Sequence, residues 1–446
     1  MHIYLPKQVE TIIEELNKEG FEAYAVGGCV RDSYMGRTPE DWDITTSAKP
    51  EQVKKIFKKT FDTGIEHGTV TVVMDKENFE VTTYRVDGEY RDFRHPESVS
   101  FTSDLKEDLM RRDFTINAMA YNHKEGLIDV FDGIKDLDAG IIRCVGVAEE
   151  RFSEDALRML RAVRFSAQLG FDIEEKTKEA IKKLSPTLEH ISSERVQSEL
   201  VKLLMSDNPG KIEEAYNLGL TKVFLPEFDI MMVSEQINPH HIYTVGMHTI
   251  KVMENVPKDR ILRISALLHD VAKPDCTTLD SRGINHFKGH PEKGAQMARK
   301  ILRRLKFDNN TVERVCHFVL WHDANPELTP KSVRKMVSKI GKDYYPDMFA
   351  LKRADVKGQN PKFAPEKLRR IDEYERLYNE IINKGECVDV KSLAINGGDL
   401  IKEGFEQGQV IGSALKELLS LVIENPELNE KETLLTIAKE QFLERN

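Results

Sequence analysis

Apolar residues first recur at helical spacing: Val9, Ile12, Ile13 and Leu16 stand among acids and lysines, which predicts an amphipathic helix and not a signal peptide. The period then falls to two. Residues 68–74 and 79–85 are β-branched runs on either side of the polar stretch 75–78, and together they predict a β-hairpin. Up to about Val147, strand and helix patterns alternate with turn residues; from Arg151 onward helical periodicity dominates. One helix is expected to open at Glu154, with Ala156, Met159, Leu160, Val163 and Ala167 as its apolar stripe. That leaves Asp155 and Arg158 as neighbours on its polar face, where the plain alternative is an exposed ion pair. The expected fold class is α+β, a small α/β head followed by a long all-helical arm.

At 446 residues the chain is long enough for two to four domains. With 40% hydrophobic and 31% charged residues it fits a soluble globular protein, and no apolar run approaches a membrane span. Its five cysteines, Cys29, Cys144, Cys276, Cys316 and Cys387, form no CxxC pair, which favours a reducing, cytoplasmic setting over disulfides or zinc. A net charge of −10 works against a generally RNA-binding surface, so any RNA track must be local. The basic helical runs 298–306 and 331–339 are candidates, equally readable as solvated faces. Neither a membrane nor DNA is expected as a partner.

The chemistry concentrates near the start. In a strand, Asp41 and Asp43 of Asp41-Trp42-Asp43 project from one face roughly 7 Å apart, a spacing suited to gathering divalent cations for phosphoryl transfer. Upstream, Gly27-Gly28 lets backbone amides approach a polyphosphate closely. Glu80, on the second strand of the expected hairpin, is placed to complete the acidic cluster. Arg111-Arg112-Asp113 combines phosphate-fork donors with an acceptor for ribose hydroxyls. A carboxylate with a guanidinium, as in Asp155 and Arg158, matches the exocyclic amine and bare ring nitrogen that cytosine and adenine share, and mismatches uracil and guanine.

In order, these segments resemble the motifs of the class II tRNA nucleotidyltransferases, the CCA-adding enzymes and their poly(A) polymerase relatives, across roughly the first two hundred residues. The runs Asp129-Val130-Phe131-Asp132-Gly133 and Ser193-Glu194-Arg195-Val196 belong to the same match. The resemblance implies a nucleotidyltransferase head (1–147), a base-recognising neck (148–215), a helical body (216–370) and a tRNA-elbow-gripping tail (371–446), the last three forming an elongated helical arm. It implies Asp41, Asp43 and Glu80 as catalytic acids, with Mg²⁺ on the first two. Gly27, Gly28, Arg31, Arg111, Arg112, Asp113, Asn117, Asp155, Arg158 and Arg161 become substrate-binding residues, Asp155 with Arg158 selecting the base. Glu194 and Arg195 would brace the neck, and the segment holding Asp129, Gly133 and Asp136 would form a hinge. The expected partners are tRNA, CTP and ATP. The polar stretch 86–106 reads as a mobile functional loop; in the family its full length accompanies addition of the terminal adenosine as well as both cytidines. An A-adding enzyme or a poly(A) polymerase is the alternative within the class.

Eight of the 13 histidines fall between His240 and His322. His248, His269-Asp270, His290, His322 and Asp355 follow the order of the HD phosphohydrolases, which some class II nucleotidyltransferases carry in their arm. The resemblance implies a second divalent-metal site. Imidazole with carboxylate suits Mn, Fe, Co, Ni or Mg better than a closed structural zinc site. It leaves two further alternatives, a metal-dependent phosphohydrolase acting on RNA ends and a noncatalytic RNA-binding protein. In the final seventy residues, Gly397, Gly398, Gly404, Gly408 and Gly412 punctuate short helices, fitting either phosphate approach or tight helix packing.

Overall fold

The computed structural model describes residues 2–88 and 99–443, and the chain divides into two compact units, Met1–Asp229 and Ile230–Asn446. The boundaries expected at 147 and 215 fall inside the first unit, and that at 370 inside the second.

The first unit is built on a seven-stranded sheet. Along the chain come β1 (Ala23–Val26), β2 (Asp43–Thr46), β3 (Thr60–Gly64), β4 (Thr69–Met74), β5 (Glu77–Thr83), the ribbon β6 (Arg85–Asp87) with β7 (Val99–Phe101), then β8 (Met119–Asn122) and β9 (Gly126–Asp129). The sheet order is β3-β4-β5-β2-β1-β8-β9, and only β2 and β5 run parallel to each other within it. Helices α1 (Lys7–Lys18), α2 (Gly28–Tyr34) and α3 (Pro50–Ile56) pack against these strands. On α1, Val9, Ile12, Ile13 and Leu16 are all buried, as their spacing predicts.

The β4–β5 hairpin is tighter than expected. Its turn is Asp75 and Lys76 alone, both at positive φ, 52° and 71°, because Glu77 and Asn78 already pair with Met74 and Val73. Two consecutive positive-φ residues give a turn whose twist suits the flanking strands. The expected strand also ends early: Tyr84 is buried, and Arg85 starts the separate ribbon. Of the expected mobile loop 86–106, residues 89–98 lie outside the described residues; Arg85–Asp87 pairs with Val99–Phe101, and α4 (Leu105–Met110) follows, capped by the Asp104 side chain.

Beyond the sheet the first unit is helical: α5 (Gly133–Ala139), α6 (Ala148–Glu154), α7 (Leu157–Leu169), α8 (Glu175–Leu184) and α9 (Ser193–Leu204), with α6 packed on α8 and α7 on α9. The helix expected to run on from Glu154 is broken. Asp155 has φ −139° and ψ 103°, and its side chain accepts the Leu157 N–H at 3.1 Å. An aspartate offering this bond competes with helical continuation, so α7 starts two residues later and Asp155 is not on its polar face.

The second unit is almost wholly helical. Its last part has a core of its own around Leu400, Ala414, Leu418, Val422 and Leu434, where a Cβ on Gly397 would lie 3.1 Å from Ile411, so packing explains that glycine. Among the described residues no helix is long and apolar enough to cross a membrane.

Candidate active site

Asp43 opens β2, and its direct partner across the parallel pair is Glu80 of β5, so the backbone sets two carboxylates side by side. Asp41 lies just before the strand and is exposed, which corrects the expectation of one continuous strand carrying both aspartates. Asp43 keeps solvent access, yet the protein around its carboxyl raises its pKa; Arg112 opposes the rise and Asp41 adds to it. Glu80 is raised in the same way, first by partial burial, then by Asp43 and Asp41. Hard carboxylate oxygens crowded by like charge are a donor set suited to a hard divalent cation. These three do not form one of the trios with ligand atoms within 4.8 Å found among the described residues, as mutual repulsion would lead one to expect.

Arg112 faces this cluster. Burial lowers its pKa, Asp108 and Asp43 oppose that, and its Nε has no hydrogen-bond partner among the described residues. Its guanidinium lies against Gly27, which has φ +82° and on which a Cβ would come within 2.9 Å of Arg112 Nη1. Glycine there satisfies both the backbone angle and the close approach. Arg31 donates to Asn117 Oδ1 at 2.7 Å and to Asp32, so Arg31 and Asn117 brace each other beside Gly28.

Asp113 is more constrained than a free ribose acceptor. Its Oδ2 accepts from Arg161 Nε and Nη2 at 2.9 and 2.7 Å, and its Oδ1 from the Phe114 N–H and Asn117 Nδ2. Burial acts to raise its pKa, but Arg161 and the bond from Asn117 hold it down at about 2.

Asp155 and Arg158 do not pair with each other's side chains. Asp155 is gripped by Arg195 from α9, at 3.2 and 2.7 Å. Arg158 donates to Glu154 at 2.6 Å, to the Arg151 carbonyl and to the Arg111 carbonyl. Sequence reasoning missed Asp108. This buried carboxylate accepts from Thr45 Oγ1 at 3.0 Å, Arg111 Nε at 2.9 Å and the Arg85 N–H at 3.3 Å, tying the acid-bearing strand to the arginine pair.

In the second unit the expected ligands converge. His248 Nε2 lies 3.0 Å from Asp355 Oδ1 and 3.4 Å from Asp270 Oδ2, and His269 Nε2 is 3.1 Å from the same Asp270 oxygen. Asp270 Oδ1 faces the other way, 3.5 and 3.6 Å from His290 and His322. All four imidazoles are oriented alike: each Nδ1 meets a backbone carbonyl, of Gly358, Ala266, Phe287 and Val319, at 2.7–3.0 Å. Where a neutral ring donates its Nδ1–H to that carbonyl, its Nε2 presents a lone pair inward, the arrangement that orients histidine ligands. The Nε2 atoms also meet in pairs, His248 with His269 at 3.3 Å and His290 with His322 at 3.2 Å. Lone pairs brought that close are what a shared cation reconciles. Two residues missed in the sequence adjoin the cluster: Lys273, 2.7 Å from Asp270, and His241, its ring centroid 5.1 Å from that of His248. Lys273 was visible at three residues past Asp270; His241 carried no signal.

A mixed sheet with carboxylates abreast on its parallel strands, a glycine turn under an arginine and a helical continuation define a nucleotidyltransferase of the poly(A) polymerase class. Family models agree, matching the "Poly A polymerase head domain" over residues 23–143, the "Probable RNA and SrmB- binding site of polymerase A" over 170–232 and "tRNA nucleotidyltransferase domain 2 putative" over 292–438. The chain belongs to the family of CCA-adding enzymes: that of Leuconostoc mesenteroides is 34% identical over 438 residues, 98% of this chain and 97% of the relative. The solved CCA-adding enzyme of Bacillus stearothermophilus in complex with CTP superposes with a TM-score of 0.73 at 30% identity, covering 99% of both chains. That of Thermotoga maritima, solved with tRNA, shares the fold at a TM-score of 0.62 and 21% identity, covering 99% of this chain and 100% of that one.

Proposed function

We propose that the CCA-adding activity of this family is carried in this chain by Asp41, Asp43 and Glu80, with Arg112 facing the triphosphate. The protein is a tRNA nucleotidyltransferase that adds CCA to tRNA 3′ ends from CTP and ATP and releases pyrophosphate. The observation that carries the residue assignment is the pairing of Asp43 with Glu80 across parallel strands, with Arg112 acting on Asp43 from the Gly27 side. Bound by Asp41 and Asp43, Mg²⁺ would lower the pKa of the RNA 3′-hydroxyl and neutralise charge on the triphosphate. Arg112, whose guanidinium lies against Gly27 and acts on Asp43, would face a phosphate oxygen held beside these acids. Arg161 and Asn117 fix Asp113, so it acts by holding Arg161 in place. Asp155 and Arg158 would select the base after exchanging their present partners, Arg195 and Glu154. A cytoplasmic location fits this work. Incubation with tRNA lacking CCA, labelled CTP and ATP, and Mg²⁺ tests the reading; incorporation that survives Asp43→Ala would refute the assignment.

A second reading rests on the histidine cluster. We infer that His248, His269, Asp270 and Asp355, with His290 and His322 on the other Asp270 oxygen, hold one or two divalent ions and that the second unit hydrolyses phosphate esters at RNA ends. Such an ion would supply an activated water. Phosphatase or phosphodiesterase activity abolished by His269→Ala and Asp270→Ala supports this; its absence from the wild-type protein with Mn, Ni, Co, Fe or Mg removes it.

A further inference from the structure

The register of the head sheet carries a row of residues from the acids out to its edge. Asp43 pairs with Glu80, Glu80 with Thr71, and Thr71 with Phe61 of the edge strand β3. Residues directly opposite one another project from the same face, and neighbouring strands lie about 4.8 Å apart, so Phe61 shares the face of the acids about 10 Å from Glu80 and about 14 Å from Asp43. The next row, Ile44, Val81 and Val70, is buried on the other face, where α1 and α3 pack. Phe61 is 54% exposed. Thr71, between it and Glu80, is buried and shares a hydrogen bond with Thr63 at 2.7 Å.

Lysines crowd the same edge. Lys54, Lys55, Lys58 and Lys59 come just ahead of Phe61, and residues 52–61 contain no acid. Lys54 pairs with Asp62 at 3.0 Å; the other three are exposed, and among the described residues none of them has an ion-pair partner. The Lys59 carbonyl accepts the Val73 N–H at 3.0 Å, so the extended run continues through Lys59, two residues before Phe61 and on its face. Val73 pairs in turn with Asn78, so no acid shares the row of Lys59. Lysines also guard an edge strand against pairing with another sheet, but that role gives no reason for an exposed phenylalanine beside them. An aromatic ring next to cations is what single-stranded nucleic acid uses: bases of any identity stack on the ring, and phosphates follow the cations.

We propose that Phe61 is a stacking platform for the unpaired 3′ end of the RNA substrate, with a base just upstream of the reacting 3′-hydroxyl on the ring and Lys58 and Lys59 on the phosphates behind it. This rests on the reading of Asp43 and Glu80 as the catalytic acids. A strand whose 3′-hydroxyl stands at Asp43 reaches the β3 edge by crossing Glu80 and Thr71 along the row.

The test measures, by fluorescence anisotropy, binding of the full-length protein to two RNAs: tRNA carrying two of its three terminal nucleotides, and the same tRNA trimmed back to its paired acceptor stem. Phe61→Ala is expected to weaken binding of the first about tenfold and to leave the second unchanged, with Phe61→Trp restoring the first and the melting temperature held in both variants. Lys58→Gln combined with Lys59→Gln should weaken the first and flatten its dependence of log affinity on log salt by about one to two in slope. Loss by Phe61→Ala on both RNAs alike, or on neither, overturns the platform, as does an effect confined to self-association, read by sedimentation. Incorporation of labelled CMP by the wild type is followed separately: if there is none, the catalytic reading falls alone, and the two RNAs still decide whether Phe61 grips an unpaired end. No binding of either RNA by the wild type overturns the platform outright.

Discussion

Asp43 and Glu80 face each other in register across the single parallel pairing of the head sheet. Both carboxyls have a raised pKa, first because of burial; Asp41 adds to the rise at Asp43 against Arg112, and Asp43 and Asp41 add to it at Glu80. The sign of the linkage follows: a carboxyl raised in the folded state contributes stability below its unfolded pKa and loses it as pH rises through the folded one. Asp43→Asn should therefore raise the melting temperature at neutral pH, with the gain vanishing below the ordinary carboxylate range. Transfer of CMP to tRNA should fall roughly 10³-fold. Thermal melts across pH, set beside a single-turnover assay, check both halves.

Asp113 has the opposite linkage. Its pKa is held at about 2, against an ordinary 3.8, so its stabilising effect is present above the unfolded value and lost as pH falls through the folded one. Asp113→Asn should cost about 2 kcal/mol at neutral pH, a deficit that closes between about pH 4 and pH 2. Urea unfolding of both proteins over that range measures it. Arg161→Lys should reproduce part of the loss, since lysine cannot supply the two-pronged grip.

Base choice should respond to the residues that hold the selecting pair as well as to the pair itself. Asp155→Ala or Arg158→Ala is expected to erode the preference for CTP and ATP over UTP and GTP by about tenfold or more, because the lost group no longer penalises a mismatched base. Arg195→Ala frees Asp155 from its clamp and should change selectivity without touching nucleotide. Competition assays with all four triphosphates read these effects, and unchanged selectivity in Asp155→Ala and Arg158→Ala would assign base choice to other groups.

What the sequence made legible follows the range of the interactions. The α1 stripe, the β4–β5 pair and the helical character after Arg151 are local patterns, and each was readable. The acids Asp43 and Glu80 were readable as residues, but their parallel pairing was not, since it depends on an intervening hairpin inserting at the sheet edge. The Asp155–Arg195 clamp joins residues forty apart, and the break at Asp155 hides behind a good helical stripe. Asp108 resembled any acid on a short helix until the fold buried it against Thr45 and Arg111. The histidine order was legible as a set, whereas the division of Asp270 between two histidine pairs arises only from helix packing.

That division makes the last prediction specific. With Asp270 Oδ2 toward His248 and His269 and Oδ1 toward His290 and His322, loss of Asp270 should remove every divalent ion the cluster holds. His290→Ala, which touches only one pair, should leave the His248 side occupied. A ligand that binds only the folded state stabilises it by mass action, so saturating Mn²⁺ should raise the melting temperature of the wild type, raise it less in His290→Ala, and give Asp270→Ala no rise through this cluster. Metal content by mass spectrometry of the dialysed proteins distinguishes the two seats directly. Equal metal in the wild type and His290→Ala would show that His290 and His322 serve as neighbours of one ion and not as ligands of a second.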